Sequence, residues 1–174
     1  MFRSFFAAMA LFLACACDQD IDSLIPERRE AATVGAGRVE DEWKGTVMSF
    51  WRWEPFTSRE GGPEVQATLV CNYRSKPLKS DQPHPMIILK SLEGDLPKGE
   101  FKLSDGKVHE LYGHEGRYAE DIYFTLRETT LQIRFDDDTN SNPPVHTIDL
   151  TEEGPAAVLA ECQAQFDKWS EQVF

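Results

Sequence analysis

Short runs in which apolar and polar residues alternate recur from residue 43 onward, separated by clusters of Gly, Pro, Asn and Asp. This alternation is typical of strands in antiparallel sheets, and a helical period is scarce until the end of the chain. The pattern predicts a mainly β domain, an antiparallel sandwich or small barrel of about eight strands. The predicted strands are Trp43 to Trp53, Val65 to Tyr73, Met86 to Leu92, Gly99 to Leu103, Val108 to Tyr112, Arg117 to Arg127, Thr129 to Phe135 and Val145 to Leu150.

Two apolar stripes of period two follow each other in the second half of the chain. They comprise Ile122, Phe124 and Leu126, then Leu131, Ile133 and Phe135. Because only the polar segment 127–130 separates them, we expect a tight hairpin with both stripes buried.

Two further segments carry local structural signals. Asp105-Gly106, within Ser104 to Lys107, is the signal of a type I′ turn between two strands. Met86 to Leu89 is apolar at every position, which predicts a central strand covered on both faces.

The C-terminal segment predicts the closing helix of the domain. Gly154-Pro155 suits a helix start, since proline at the first helical position gives up no needed N–H. One apolar stripe then follows at spacings of three and four, formed by Leu159, Cys162, Phe166 and Trp169. We expect this helix to lie on the sheet.

The first seventeen residues have the pattern of a bacterial export signal. Arg3 is followed by the apolar run Phe5 to Leu13, which is too short to span a bilayer, and then by small residues and cysteine. Leu13 to Cys17 resembles the lipobox of bacterial lipoproteins, in which the cysteine is acylated and becomes the new N-terminus. We predict lipidation at Cys17, with Cys15 as the alternative, and otherwise ordinary cleavage after Ala16 that releases a soluble secreted protein.

The segment 18–42 is polar, charged and interrupted by Pro26, Gly35 and Gly37, which predicts a flexible tether. The domain plan is therefore a signal peptide over 1–17, a tether over 18–42 and a single globular domain over 43–174. The lipid would anchor the protein to a membrane of the bacterial cell envelope, facing the periplasm.

The chain has 18 Lys and Arg against 30 Asp and Glu, a formal net charge of −12. This balance disfavours nucleic acid as a partner and favours a cationic envelope protein, although it also serves solubility. Cys71 and Cys162 remain in the body of an exported protein, so we predict a disulfide between them.

Candidate catalytic and metal motifs fall short of their chemistry. His109 and His114 are five positions apart, whereas a helical zinc motif needs four. Asp136, Asp138 and Asn140 place oxygens at alternate positions, but the glycine and glutamate of a calcium loop are missing. These three remain weak metal candidates, and we expect no cofactor and no catalytic residues.

The densest aromatic segment is Phe50 to Phe56. Strand alternation places Trp51 and Trp53 on one face and Arg52 on the other. We expect core and edge packing here, with Trp51, Arg52 and Trp53 as the candidate binding patch for a glycan or protein partner if the aromatic pair is exposed.

The passage from strand to Ala-rich helix over Thr147 to Leu159 resembles the end of small exported proteins of the invasion-associated locus B family. The resemblance spans about 20 residues and lacks that family's Gly-Phe at the helix start, so it implies architecture alone. Gly116-Arg117-Tyr118 loosely resembles the loop of periplasmic lysozyme inhibitors, which are acidic and often lipid-anchored.

These observations predict a lipid-anchored or secreted envelope protein that acts by binding. The alternatives are an inhibitor of a cationic hydrolase such as lysozyme, and an envelope enzyme.

Overall fold

A computed structural model describes residues 32–75, 82–113 and 116–173. Within these residues the chain forms ten strands and one helix. The strands are β1 (Gly35–Asp41), β2 (Thr46–Arg52), β3 (Phe56–Thr57), β4 (Glu64–Arg74), β5 (His84–Ser91), β6 (Gly99–Leu103), β7 (Val108–Leu111), β8 (Ala119–Tyr123), β9 (Thr130–Phe135) and β10 (Val145–Asp149), and the helix is α1 (Glu153–Val173).

The strands form two antiparallel sheets. A six-stranded sheet has the order β1-β2-β4-β5-β8, with β3 paired to β4, and a four-stranded sheet has the order β10-β9-β6-β7. The sheets are not closed into a barrel, so of the two predicted architectures the structure is consistent with the sandwich. The prediction of a mainly β fold with a C-terminal helix is confirmed.

One main core lies between the six-stranded sheet and the elements that cover it. The inward positions of β4 alternate along the strand, because successive side chains of a strand point to opposite faces. Both the four-stranded sheet and α1 contribute to this core, so both pack on the same face of the larger sheet. Fully buried members include Val65, Ala67, Leu69, Cys71, Ile87, Leu89, Leu131, Ile133, Phe135 and Cys162.

The disulfide between Cys71 and Cys162 is present, with a Cα–Cα distance of 5.6 Å. It links the middle of β4 to α1, as the sequence predicts. The helical stripe is also confirmed, since Cys162 and Trp169 are buried and Leu159 packs against the main core. The start of α1 is tight, because a Cβ on Gly154 would lie 2.3 Å from the ring of Trp51.

The predicted hairpin between residues 122 and 135 is wrong. β8 pairs with β5 in the six-stranded sheet, whereas β9 pairs with β6 and β10 in the other sheet. Strand β8 ends at Tyr123 rather than at Arg127, and the chain then crosses between the sheets. The two stripes nevertheless contribute to one core, since Ile122 is buried and Phe124 and Leu126 pack against the cluster that holds Leu131.

The tether prediction is wrong for its last part. β1, at Gly35–Asp41, pairs with β2 over its whole length. The backbone N–H of Ala32 donates to the side-chain oxygen of Gln66 at 2.9 Å, and the Gln66 amide donates back to the Ala32 carbonyl at 2.8 Å. The folded domain thus includes residues well before 43, while the signal segment 1–17 and residues 18–31 lie outside the described residues.

Two local predictions have opposite outcomes. The strand Met86 to Leu89 is buried at every position, as predicted. The type I′ turn is not formed, because Gly106 has φ of +82° while no described non-glycine residue, Asp105 included, has positive φ. The N–H of Gly106 donates to the carbonyl of Leu103 at 3.0 Å, so an ordinary β-turn is followed by a left-handed glycine.

Candidate functional site: a groove on the outer face of the six-stranded sheet

The tryptophans of the predicted patch do not form an exposed pair. Trp51 and Trp53 are partly buried and pack against the main core. Arg52 lies on the opposite face, where its guanidinium sits 4.0 Å above the ring of Phe50. The structure therefore does not bring these three residues together as one surface, and a candidate site must be sought elsewhere.

The outer face of the six-stranded sheet, which we define as the face turned away from α1 and the four-stranded sheet, carries its own apolar cluster. Phe50, Val70, Met86 and Ile88 are buried there. The first three lie in one row across the sheet, because Phe50 is paired with Val70 and Val70 with Met86. Because the guanidinium of Arg52 stacks on Phe50, it covers part of this row.

A groove of about 320 Å³ opens on this face beside the cluster. Ligand sites in proteins begin at about this volume, and they combine an apolar surface with a few polar groups. Its described lining residues are Thr46, Asn72, Tyr73, Arg74, Gln82, His84, Met86 and Tyr123. Met86, only 4% exposed, forms the apolar floor, and Tyr123, 63% exposed, stands at the side.

Strand register brings the polar residues of the groove together. Asn72 pairs with His84 across β4 and β5, and Thr46 pairs with Arg74 across β2 and β4. Side chains directly opposite on an antiparallel pair have Cβ atoms about 5 Å apart. Asn72, Arg74 and His84 are exposed, so their polar ends surround the floor and face solvent.

The charge of the groove differs from that of the chain. The chain carries a net charge of −12, yet none of the described lining residues is acidic and Arg74 is cationic. Two acids lie near it on the outer face: Asp41 of β1 is paired with Thr46, and Asp121 of β8 is in the next row, opposite Ile88. Arg52 lies at the other end of that row, so the row contributes charges of both signs.

Tyr73, one of the lining residues, also takes part in a polar contact between α1 and the six-stranded sheet. The Tyr73 hydroxyl donates to Glu161 at 2.5 Å, and Arg38 donates to the same carboxylate oxygen at 2.8 Å. Burial raises the pKa of Tyr73, and the Glu161 carboxylate raises it further. Burial alone would raise the pKa of Glu161, but the bonds from its neighbours, Tyr73 first, outweigh it and hold that pKa below its usual value.

Of the three metal candidates Asp136, Asp138 and Asn140, the side chain of Asn140 takes part in the geometry of its loop. In the loop 136–142, the Asp137 carboxylate accepts the N–H and the hydroxyl of Thr139, and the Asn140 side chain accepts the N–H of Asn142 at 2.9 Å. No group of three or more His, Cys, Asp or Glu side chains that could hold a metal ion occurs within the described residues.

The structure also describes parts of two other predicted features, the histidine pair and the segment Gly116 to Tyr118. The ring of His109 stacks on Phe101 with centroids 4.9 Å apart, and His114 lies outside the described residues. The segment Gly116 to Tyr118 is fastened along the sheet, because the carbonyls of Arg117 and Tyr118 accept bonds from Leu96 and Ser91. Cys17 and Cys15 lie outside the described residues.

No sequence motif marks the groove, because its residues come from four strands and one loop. Alternation does place Asn72, Arg74 and His84 on one side of their strands. It does not say that these strands are neighbours, and their polar side chains look like any solvent-facing positions.

Neither protein-family models, nor curated protein sequences, nor solved structures gave a match to this chain. In the part of the chain that the structure describes, no helix is both long and apolar enough to cross a bilayer.

Proposed function

We propose that this protein is a non-enzymatic binding module of the bacterial cell envelope, and that it binds saccharide in the groove on the outer face of the six-stranded sheet. The export signal and the lipobox-like Cys17 support the location, since a signal of this form directs a protein out of the cytoplasm. The groove supports the activity. It joins an apolar floor to polar groups on paired strands of the six-stranded sheet.

The lining chemistry favours a saccharide over a purely apolar ligand. The amides of Asn72 and Gln82 both donate and accept hydrogen bonds, which matches the hydroxyl groups of a sugar. Tyr123 presents an exposed ring with a polar end, suited to contact the apolar face of a sugar ring. The exposed tyrosine beside the buried Met86 is the single observation that carries the proposal.

Inhibition of a cationic hydrolase such as lysozyme is the second candidate. Its support is the net charge of −12 together with Gly116 to Tyr118. The backbone bonds of that segment disfavour it as an inserting loop. Slowing of lysozyme at low salt, where attraction between opposite charges is strongest, tests this candidate.

The test of the proposed function is a calorimetric titration of the mature protein with a panel of neutral and acidic oligosaccharides. We expect at least one panel member to bind, and Tyr123→Ala to weaken its binding about tenfold, because the variant removes the ring contact. The fold should be retained, since Tyr123 is an exposed residue of an edge strand.

Tyr118→Ala is the matched control, because Tyr118 is also an exposed tyrosine but does not line the groove. We expect this control to leave binding unchanged. Absence of binding by the whole panel, or equal losses in the two variants, would contradict the proposal.

A further inference from the structure

Trp43 is the most exposed large apolar side chain among the described residues, with 96% of its surface open to solvent. The other three tryptophans are covered, since Trp51 and Trp53 pack against the main core and Trp169 is 8% exposed. Exposed tryptophan rings often form the central contact of a binding surface. A single exposed ring needs no explanation by itself, so the place of Trp43 in the fold decides what it can contact.

The turn between β1 and β2, which carries Trp43, is held in one conformation by hydrogen bonds. The N–H of Lys44 donates to the Asp41 carboxylate at 3.0 Å. Gly45 has φ of +63°, a left-handed conformation that glycine adopts readily. The N–H and the hydroxyl of Ser75 both donate to the Gly45 carbonyl, at 2.9 Å and 3.1 Å. The turn is thus fastened to the end of β4, so a ligand that contacts its tryptophan has little backbone to order.

This turn lies at one end of the groove. Thr46, the first residue of β2 after the turn, lines the groove, and Ser75 directly follows Arg74, another lining residue. Tyr123 stands on the opposite side. In the row of Tyr123, β2 lies three strands away and Thr46 is four positions further along, a span of about 20 Å at ~4.8 Å per strand and ~3.3 Å per residue. The groove is therefore flanked by two exposed aromatic residues, Tyr123 and Trp43.

Two aromatic rings on either side of a groove of this span fit a chain of sugars better than a single sugar. The distance from Tyr123 to Thr46 exceeds the length of one sugar ring, and Trp43 lies three residues further along the chain. Each ring can contact the apolar face of one sugar, while the amides of Asn72 and Gln82 between them bond the hydroxyl groups of others.

A membrane is the other surface that an exposed tryptophan favours, because the indole ring partitions to the interface of a bilayer. The turn is less suited to that surface. Asp41 and Glu42 directly precede Trp43, and anionic headgroups would repel them. The position of the turn at the end of the groove favours the saccharide instead.

We propose that the ligand of the groove is a linear polysaccharide, and that Trp43 contacts a sugar unit beyond the groove. Short oligosaccharides fill the groove alone, and longer chains gain the contact with the tryptophan. This inference rests on the proposed function, because it assigns a chain length and a further contact residue to the same site.

The test is a calorimetric titration of the mature protein with two series of linear chains, cello-oligosaccharides and chito-oligosaccharides, each as disaccharide, tetrasaccharide and hexasaccharide. If another panel member binds instead, its own series of chain lengths replaces them. We expect the hexasaccharide to bind wild type about tenfold or more tighter than the tetrasaccharide, the size of one aromatic contact. A longer chain also offers more positions at which to bind, so variants of the turn decide the assignment.

Variants at Trp43 assign the gain to one side chain. Trp43→Ala should weaken binding of the hexasaccharide about tenfold while leaving binding of the tetrasaccharide unchanged. Trp43→Phe should retain part of the gain, because it keeps an aromatic ring. Both variants should fold, since the side chain is exposed. Glu42→Ala is the matched control, an exposed residue of the same turn without a ring, and it should bind both chains as wild type does.

Quenching of tryptophan fluorescence by iodide gives a second readout of the contact. Trp43 should account for most of the quenching, because the other tryptophans are covered. We expect the hexasaccharide to protect Trp43 from iodide and the tetrasaccharide to leave it accessible. Trp43→Phe should show little quenching with or without ligand.

Failure of the inference differs from failure of the proposed function. If Trp43→Ala binds the hexasaccharide as wild type does, or loses affinity equally for both chain lengths, the inference is overturned while the saccharide site stands. Protection of Trp43 by vesicles of neutral phospholipid, but not by the hexasaccharide, also overturns it and assigns the turn to a membrane. If neither the two series nor the wider panel binds, the proposed function fails and the inference fails with it.

Discussion

At the scale of single residues, the surroundings of His146 affect the charge of its imidazole. Its ring lies 4.4 Å from the ring of Phe56 and 6.4 Å from that of Phe135, between centroids. Its Nε2 atom is buried and has no hydrogen-bond partner among the described residues. Burial lowers the pKa of His146, and the backbone of Ser58 opposes this only in part.

The lowered pKa predicts a loss of stability in mild acid. Between the lowered folded pKa and the unfolded value of 6.5, the unfolded chain binds more protons at this residue, so the free energy of unfolding decreases as the pH falls below about 6.5. We expect His146→Phe to show a smaller decrease between about pH 7 and pH 5 than wild type. Urea unfolding midpoints across this range measure it.

The titration of carboxylates does not affect the comparison between wild type and His146→Phe. Hydrogen bonds from the side chain and backbone of Thr139 lower the pKa of Asp137, and those of Thr151 do the same for Asp149. The stability that these carboxylates contribute is lost at lower pH, as the pH falls through their lowered pKa values. Wild type and His146→Phe should lose it equally. Parallel pH curves for wild type and His146→Phe would show that the imidazole has no such role.

At the scale of elements, the alternation of apolar residues predicted most strands, because the sheets have one buried face. It missed β1, whose run Gly35–Asp41 has few apolar residues and alternates only between half-buried and exposed positions. It also misassigned the partner of β8. Alternation tells which face of a strand is buried but not which strand lies beside it. The short polar segment 127–130 suggested a hairpin at a place where the chain changes sheets.

Of the contacts between secondary-structure elements, the disulfide between β4 and α1 is the one that the sequence predicted best. It should contribute strongly to the free energy of unfolding. It joins residues 91 positions apart, and closing a loop of that length is worth about 4 kcal/mol on the chain-entropy estimate. We expect the double variant Cys71→Ala, Cys162→Ala to lose about 3–4 kcal/mol in guanidinium unfolding.

Reduced wild type is the matched control, because it loses the same covalent link without a change of side chain. It should lose a similar amount. A change below about 1 kcal/mol in both proteins would contradict the account of α1 as held to β4 by this bond.

At the scale of the whole molecule, the proposed envelope location depends on the predicted export signal in the N-terminal segment. We expect the mature wild-type protein to begin at an acylated Cys17 and to sediment with membranes, because several acyl chains hold a protein firmly. Cys17→Ser should move it to the soluble fraction. Mass spectrometry of the mature N-terminus and fractionation of cells measure both.

Cys15→Ser is the control for the alternative processing site and should leave the protein with the membranes. If Cys15→Ser, but not Cys17→Ser, released the protein from the membranes, Cys15 would be the lipidated residue. An intact Met1 on a protein without acyl chains would contradict the proposed location.

The candidate binding site is the part of the molecule that the sequence predicted least. A dense aromatic segment such as Trp51 to Trp53 stands out in a sequence, but in the structure both tryptophans pack against the core. The groove, by contrast, is assembled from separate strands by register, and each of its residues is unremarkable alone. Only the paired strands place Asn72 beside His84 and Met86 beside Tyr123.

The most direct test of the central claim is a titration of the isotope-labelled mature protein with the oligosaccharide of the panel that binds it most tightly, followed by backbone amide NMR. The account predicts shifts concentrated at Asn72, Arg74, His84, Met86 and Tyr123, on the outer face of the six-stranded sheet. Shifts concentrated on the four-stranded sheet, or no shifts at all with this ligand and the wider saccharide panel, would contradict it.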